Sequence, residues 1–172
     1  KVHAQNAARA GSEEERQASL RLMLEGLERS IRLAEQMLAY SRATAPSAEA
    51  AAGVSLRRVV DEVLGDALPR LRQRRLEVAL ACEPPLAAAT LRGDPEKLSS
   101  LVRNLVDNAA RHAPEGSSLR LELRERAAGT SLSVVDEGPG IPPALRERVF
   151  ESYYRIPGSA GSGSGLGLAI VK

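Results

Sequence analysis

The stretch NLVDNAARHAP, Asn104–Pro114, decides how the rest of the chain is read. It closes a segment that opens at Asp94-Pro95, where Asp suits an N-cap and Pro the first helical position. The pattern therefore predicts one helix running to about His112, with Leu98, Leu101, Val102, Leu105 and Ala109 as its apolar stripe. Asn104 and Asn108 are four apart and share a face at the edge of that stripe. Arg111 and His112 follow one turn later on the same side. An Asn amide oxygen can fill one Mg²⁺ position while water and phosphate oxygens fill the others. An Arg beside it can pair with phosphate. An ordinary solvated helix face carries such residues too, so this stretch alone leaves both readings open.

Two other clusters narrow the choice. In VVDEGPGIP a strand ends at Asp136, followed by Gly138 and Gly140. A carboxylate there can accept a hydrogen bond from an exocyclic amine such as that of adenine, and glycines let backbone approach a flat ring. The same residues also make a good plain turn. The chain ends on GSGSGLGLAIVK, which is either a flexible linker or a glycine-lined anion site leading into a helix. The apolar LGLAIVK weakens the linker reading. The run is neither a Walker P-loop nor a dinucleotide-binding G-x-G-x-x-G turn after a strand.

At 172 residues the chain can hold one ordinary domain plus an accessory segment. Its apolar share is 43%, but with three Tyr, one Phe and no Trp the core must be aliphatic. Net charge is +2 with both signs interspersed, which gives no basic face for nucleic acid. The single Cys82 has no partner in the chain and reads as buried, reduced and structural. No apolar run reaches the roughly 18 residues of a membrane span. No signal peptide is visible either, so the expected location is cytoplasmic.

The N-terminal part, 1–43, reads as helical. Lys1–Ala10 is helix-compatible and ends at Gly11, and Ser12 is the expected N-cap of a long helix over 13–43. Leu20, Leu24, Leu27, Ile31, Ala34 and Leu38 make a bundle or coiled-coil seam, widened by Leu22, Met23, Leu33 and Met37 toward a four-helix bundle. Residues 44–53 form a small-residue linker around Pro46. In 54–172 the pattern predicts a helix over Leu56–Gln73, kinked or interrupted at Pro69. Strands are expected over 76–81, 87–91, 117–126 and 130–138. Helices beside antiparallel strand pairs argue for an α+β, two-layer sandwich.

Taken together and in this order, the motifs resemble those of the ATP-binding domain of sensor histidine kinases. That domain belongs to a superfamily shared with gyrase, the ninety-kilodalton heat-shock chaperone and MutL mismatch-repair proteins. NLVDNAARHAP is similar to the N-box, DEGPGIP to the first glycine box, VFESYYR to the F-box and GSGLGL to the second glycine box. The helix ending LAEQMLAYSRA resembles the second helix of the dimerisation and phosphotransfer domain. The resemblance implies a Bergerat-type fold that binds ATP and Mg²⁺. It implies that Asn108 ligates the metal, Asn104 supports the phosphates, and Arg111 and His112 contact phosphate or ribose. Asp136 would hold the adenine amine, with Gly138, Gly140 and Ile141 beside the ring. Phe150 to Arg155, with Tyr154 and Arg155 at the nucleotide, and the following Gly/Ser run would form a short lid, and Gly163, Gly165, Leu166, Gly167 and Leu168 would wrap the phosphates.

ATPases of this superfamily carry Glu at the Asn104 position to activate water. An Asn cannot act as a general base, so the resemblance implies ATP held for transfer and not for hydrolysis. The implied acceptor is a His in a His-acid-x-x-x-Pro context, and a response-regulator Asp receives the phosphate next. Only His3 and His112 are present, and neither has that context. The acceptor is therefore expected upstream of Lys1, and the ending at Lys172 reads as a truncation that removes further strands. A homodimer through the N-terminal helices is expected, with membrane attachment only through upstream segments. A non-catalytic dimerisation module and an anti-sigma-type serine kinase are the rival readings.

Overall fold

The computed structural model describes residues 11–44, 53–127, 129–157 and 164–171. The expected helix over 1–10, most of the expected linker (45–52), and Gly163 lie outside the described residues. The chain divides into two compact units, Lys1–Leu38 and Ala39–Lys172.

Helix α1, Glu13–Thr44, makes up nearly all of the described part of the first unit and continues past its boundary at Leu38. Ser12 caps it as expected: its Oγ accepts from Glu15 N at 3.2 Å and its carbonyl from Arg16 N at 3.1 Å. Glu13, Glu14 and Glu15 fill the first turn, where the helix dipole favours acid. Within the single chain the seam lies open, with Leu20, Leu24, Leu27, Ile31 and Leu38 all exposed.

In the second unit Ser55 starts α2, Leu56–Gln73, by accepting from Arg58 N at 3.3 Å. The helix runs through Pro69 instead of stopping there. Pro69 and Gly65, whose carbonyl loses its helical partner to the ring, are both exposed, so water can satisfy that carbonyl. The opposite face buries Leu56, Val59, Val60, Val63, Leu64, Ala67 and Leu71.

The main sheet has the order β2–β4–β5: Glu77–Cys82, Ser118–Arg126 and Gly129–Asp136. A two-stranded ribbon pairs β1, Gly53–Val54, with β3, Leu91–Arg92. The strand expected over 87–91 is instead a single turn of helix, α3 (Pro84–Ala87), with the short β3 beyond it. Pro84 and Pro85 set the dihedrals of that turn, and Glu83 Oε2 accepts from Glu125 N at 2.7 Å. Not every strand pair is antiparallel. β4 and β5 are, but β2 runs parallel to β4, with Glu77 opposite Ser118. A parallel pair needs a crossover, and α4, Pro95–His112, lies within it.

Alternation along β4 puts Leu119, Leu121 and Leu123 in the core and Arg120 and Arg124 in solvent. α2 and α4 pack against each other, and their apolar faces join those three leucines in one core. The outcome is the expected α+β arrangement of helices on a sheet. The buried face of α4 is Val102, Val106, Ala109 and Ala110, rotated from the predicted stripe. Leu98 and Leu101 are only partly buried. The last helix, α5 (Gly167–Val171), also packs on α4, where Asn104, Leu105 and Asn108 are half-buried.

Candidate nucleotide site

Asp136 is placed by strand period. Leu132, Val134 and Asp136 share the face of β5 that packs toward the core, and Asp136 lies opposite the buried Leu119. Its carboxylate thus leaves the sheet at the end of the apolar face. Oδ1 accepts from Gly138 N at 2.7 Å, which turns the chain back toward α4. A Cβ on Gly138 would stand 2.6 Å from that oxygen and 2.9 Å from the His112 carbonyl oxygen. Only a glycine fits between the end of β5 and the end of α4, so Asp136, Gly138 and His112 are brought together.

The other end of the site lies two turns back along α4. The Asn104 Nδ2 donates to the Ser100 carbonyl at 2.7 Å, and its Oδ1 lies 3.2 Å from where a Cβ on Gly167 would sit. Gly167 is held there by Leu166, buried to 1% exposure, and by the Leu166 carbonyl accepting from Ile170 N at 3.1 Å. Between the two junctions sits Asn108, half-buried, whose carboxamide makes no hydrogen bond among the described residues. Arg111 lies exposed one turn beyond. At 1.5 Å per residue, Asn104 to His112 spans about 12 Å of helix. The second half of α4 is therefore a ruler, with a carboxylate-and-glycine contact at His112 and a glycine contact at Asn104.

Gly140 adopts φ +70° with open space around it, a conformation that favours glycine. Ile141 accepts from Arg146 Nε at 3.2 Å through its carbonyl. Tyr154 is half-buried with the Arg148 guanidinium 4.4 Å above its ring. Arg155 is exposed and Leu168 half-buried. The His112 imidazole is held below its ordinary pKa by burial and by the neighbouring Arg111, against an opposing pull from Asp136.

Sequence reasoning missed one residue, Arg74, and the backbone conformation of another, Tyr153. Arg74 forks onto the carbonyls of Ala110 and Ala113, the latter at 3.0 Å, and so fixes the end of α4 beneath the site. Nothing in its local sequence signals this, since the partners lie on another helix. Tyr153 is left-handed at φ 67°, and its N–H donates to the Gly165 carbonyl at 3.0 Å.

Residues 93–172 match the family described as Histidine kinase-, DNA gyrase B-, and HSP90-like ATPase. The solved structure of the mycobacterial sensor histidine kinase MprB is 35% identical, over 70% of this chain and 75% of that one, with a TM-score of 0.59. The chain belongs to this ATPase family. Within the family, the sensor protein QseC of Salmonella typhi is 36% identical over 148 residues, covering 86% of this chain and 32% of its own length. The chain thus spans about a third of the curated relatives it matches. The structure of full-length ShkA in complex with AMPPNP aligns over 99% of this chain and 35% of that one, at 27% identity and a TM-score of 0.72. The match begins at Gly93, one residue before the cap of α4, so the family's ATP-binding core takes in every predicted site residue. Among the described residues no helix is long and apolar enough to cross a membrane.

Proposed function

We propose that the chain is the ATP-binding part of a sensor histidine kinase, holding Mg-ATP for phosphoryl transfer. The convergence of both glycine segments on the second half of α4, one at Asn104 and the other at His112, carries this reading. Adenine would sit at the Asp136 end, its amine donating to the carboxylate, with Gly138, Gly140 and Ile141 beside the ring. The phosphates would lie toward Gly163, Gly165, Leu166, Gly167 and Leu168, with Tyr154 and Arg155 flanking them. Arg111 and His112 would meet ribose or phosphate.

The chemistry of the donors fits a nucleotide-borne metal. Asn108 offers one unpartnered amide oxygen, and among the described residues no three His, Cys, Asp or Glu side chains converge. A magnesium ion at Asn108 would take its other ligands from phosphate and water, and would neutralise the charge that develops during transfer. Asn104 supports transfer over hydrolysis. Its amide nitrogen is committed to Ser100, and its oxygen is too weak a base to take a proton from water. The reading extends to an acceptor histidine outside this sequence, a response-regulator aspartate after it, and a homodimer through the exposed seam of α1. The AMPPNP bound by ShkA favours it over a dimerisation module without nucleotide.

The test is titration of a fluorescent ATP analogue with Mg²⁺. Asp136→Ala and Asn108→Ala should each abolish saturable binding, while the oligomeric state by light scattering stays unchanged. Retained affinity in either variant contradicts the assignment.

A further inference from the structure

The segment before Pro157 and the segment after Ser164 meet at one point, and the geometry there is specific. Tyr153 occupies the left-handed region at φ 67°, which is an outlier for so bulky a residue. Its ring does not explain this, because Tyr153 is 62% exposed. Its backbone does. The Tyr153 N–H donates to the Gly165 carbonyl at 3.0 Å. Gly165 is itself left-handed at φ 74°, and a Cβ there would stand 2.6 Å from Tyr153 C and 2.8 Å from both its Cα and its O. Two backbones thus lie face to face with no side chain between them. The next residue, Leu166, is wholly buried, and the one after, Gly167, abuts Asn104 Oδ1.

We propose that Tyr153 is a positioning residue of the nucleotide site that acts through its main chain and not its ring. This inference rests on the site reading above. The left-handed turn at Tyr153 aims its N–H at Gly165 and sets how closely the two backbones approach. That approach fixes the distance of Gly167 from Asn104. The side chain at 153 is then dispensable, and the requirement is for a residue that tolerates positive φ. Asn and Gly tolerate it, whereas a β-branched residue does not.

The experiment uses the whole chain with Tyr153→Asn, Tyr153→Gly and Tyr153→Val. Affinity for the fluorescent ATP analogue with Mg²⁺ is read beside hydrogen exchange of the residue-153 amide, with the Leu121 amide as reference for global unfolding. The Asn and Gly variants should bind within about twofold of the parent and keep the amide protected, whereas Val should lose roughly tenfold in both. A role for the ring would instead weaken all three variants alike, because Asn and Gly delete it as fully as Val does. Weakened binding in the Asn and Gly variants, or a Val variant indistinguishable from the parent, overturns the proposal. An Asn108→Ala control separates the two levels. Unchanged binding there sinks the site reading, while a dead Asn108→Ala beside three equivalent Tyr153 variants sinks this inference alone.

Discussion

Gly138→Ala isolates space from conformation at the centre of the site. Gly138 is not in the left-handed region, so its backbone accepts an alanine. The added methyl would stand 2.6 Å from Asp136 Oδ1, 2.9 Å from the His112 oxygen and 3.2 Å from the His112 carbonyl carbon. Ordinary contact begins near 3.4 Å, so the carboxylate must withdraw from 2.6 to 3.4 Å, by 0.8 Å, or the end of α4 must yield. Arg74 resists the second escape by holding the Ala110 and Ala113 carbonyls. The carboxylate therefore moves and gives up its 2.7 Å bond from Gly138 N. Such a charge-assisted bond is worth about 1.5–3 kcal/mol, and overpacking a tight site costs about 1–3 kcal/mol. An acid displaced by that much misses a base amine, so nucleotide affinity should fall by roughly tenfold or more, about 1.4 kcal/mol per decade.

Gly140→Ala is the matched control. It meets nothing within 4 Å, and its cost is the positive φ, about 1–2 kcal/mol. It should lower the unfolding midpoint without moving Asp136. Titration of both variants with the fluorescent analogue, alongside urea unfolding, tests the argument. The reasoning fails if Gly138→Ala binds as tightly as Gly140→Ala.

Arg74→Met removes the fork from the two carbonyls that end α4 and should cost about 2–4 kcal/mol in urea unfolding, with Lys restoring only part because an ammonium cannot span both. His112 predicts a pH response. Its folded pKa lies below the ordinary 6.5, so between the two values the unfolded chain binds more protons and stability rises with pH. The stabilisation is present above 6.5 and is lost as pH falls through the depressed folded value. His112→Gln should flatten that acid limb in thermal melts at stepped pH.

Elements with strong local chemistry were legible. Asp94-Pro95 opens α4 as read, with Asp94 Oδ1 accepting from Glu96 N at 2.9 Å, and the helix closes at His112. The alternation of SLRLELRER gives β4 and its buried face. Strand direction was not legible, because period two is the same whether β2 runs with or against β4. Two-residue strands such as β3 are too short for any period, and the proline pair before it makes a turn of helix. At the site, residue types named the candidates Asp136, Gly138, Asn104 and Gly167, but not their neighbours. That Gly138 abuts the His112 carbonyl, and Gly167 the Asn104 amide, depends on packing between segments far apart in the chain. The left-handed Tyr153 carries no compositional mark at all, since Tyr is not a residue that selects positive φ.

The helix that measures out the site is also part of the connection between β2 and β4. Glu77 cannot pair with Ser118 until that connection has been folded back over the sheet, which is the slow, non-local kind of contact to form. Maturation of the site is thereby tied to this non-local pairing of the strands. A half-folded chain emerging from synthesis has no ruler on which to lay a nucleotide, so ligand added during refolding should stabilise only molecules that have already passed the barrier.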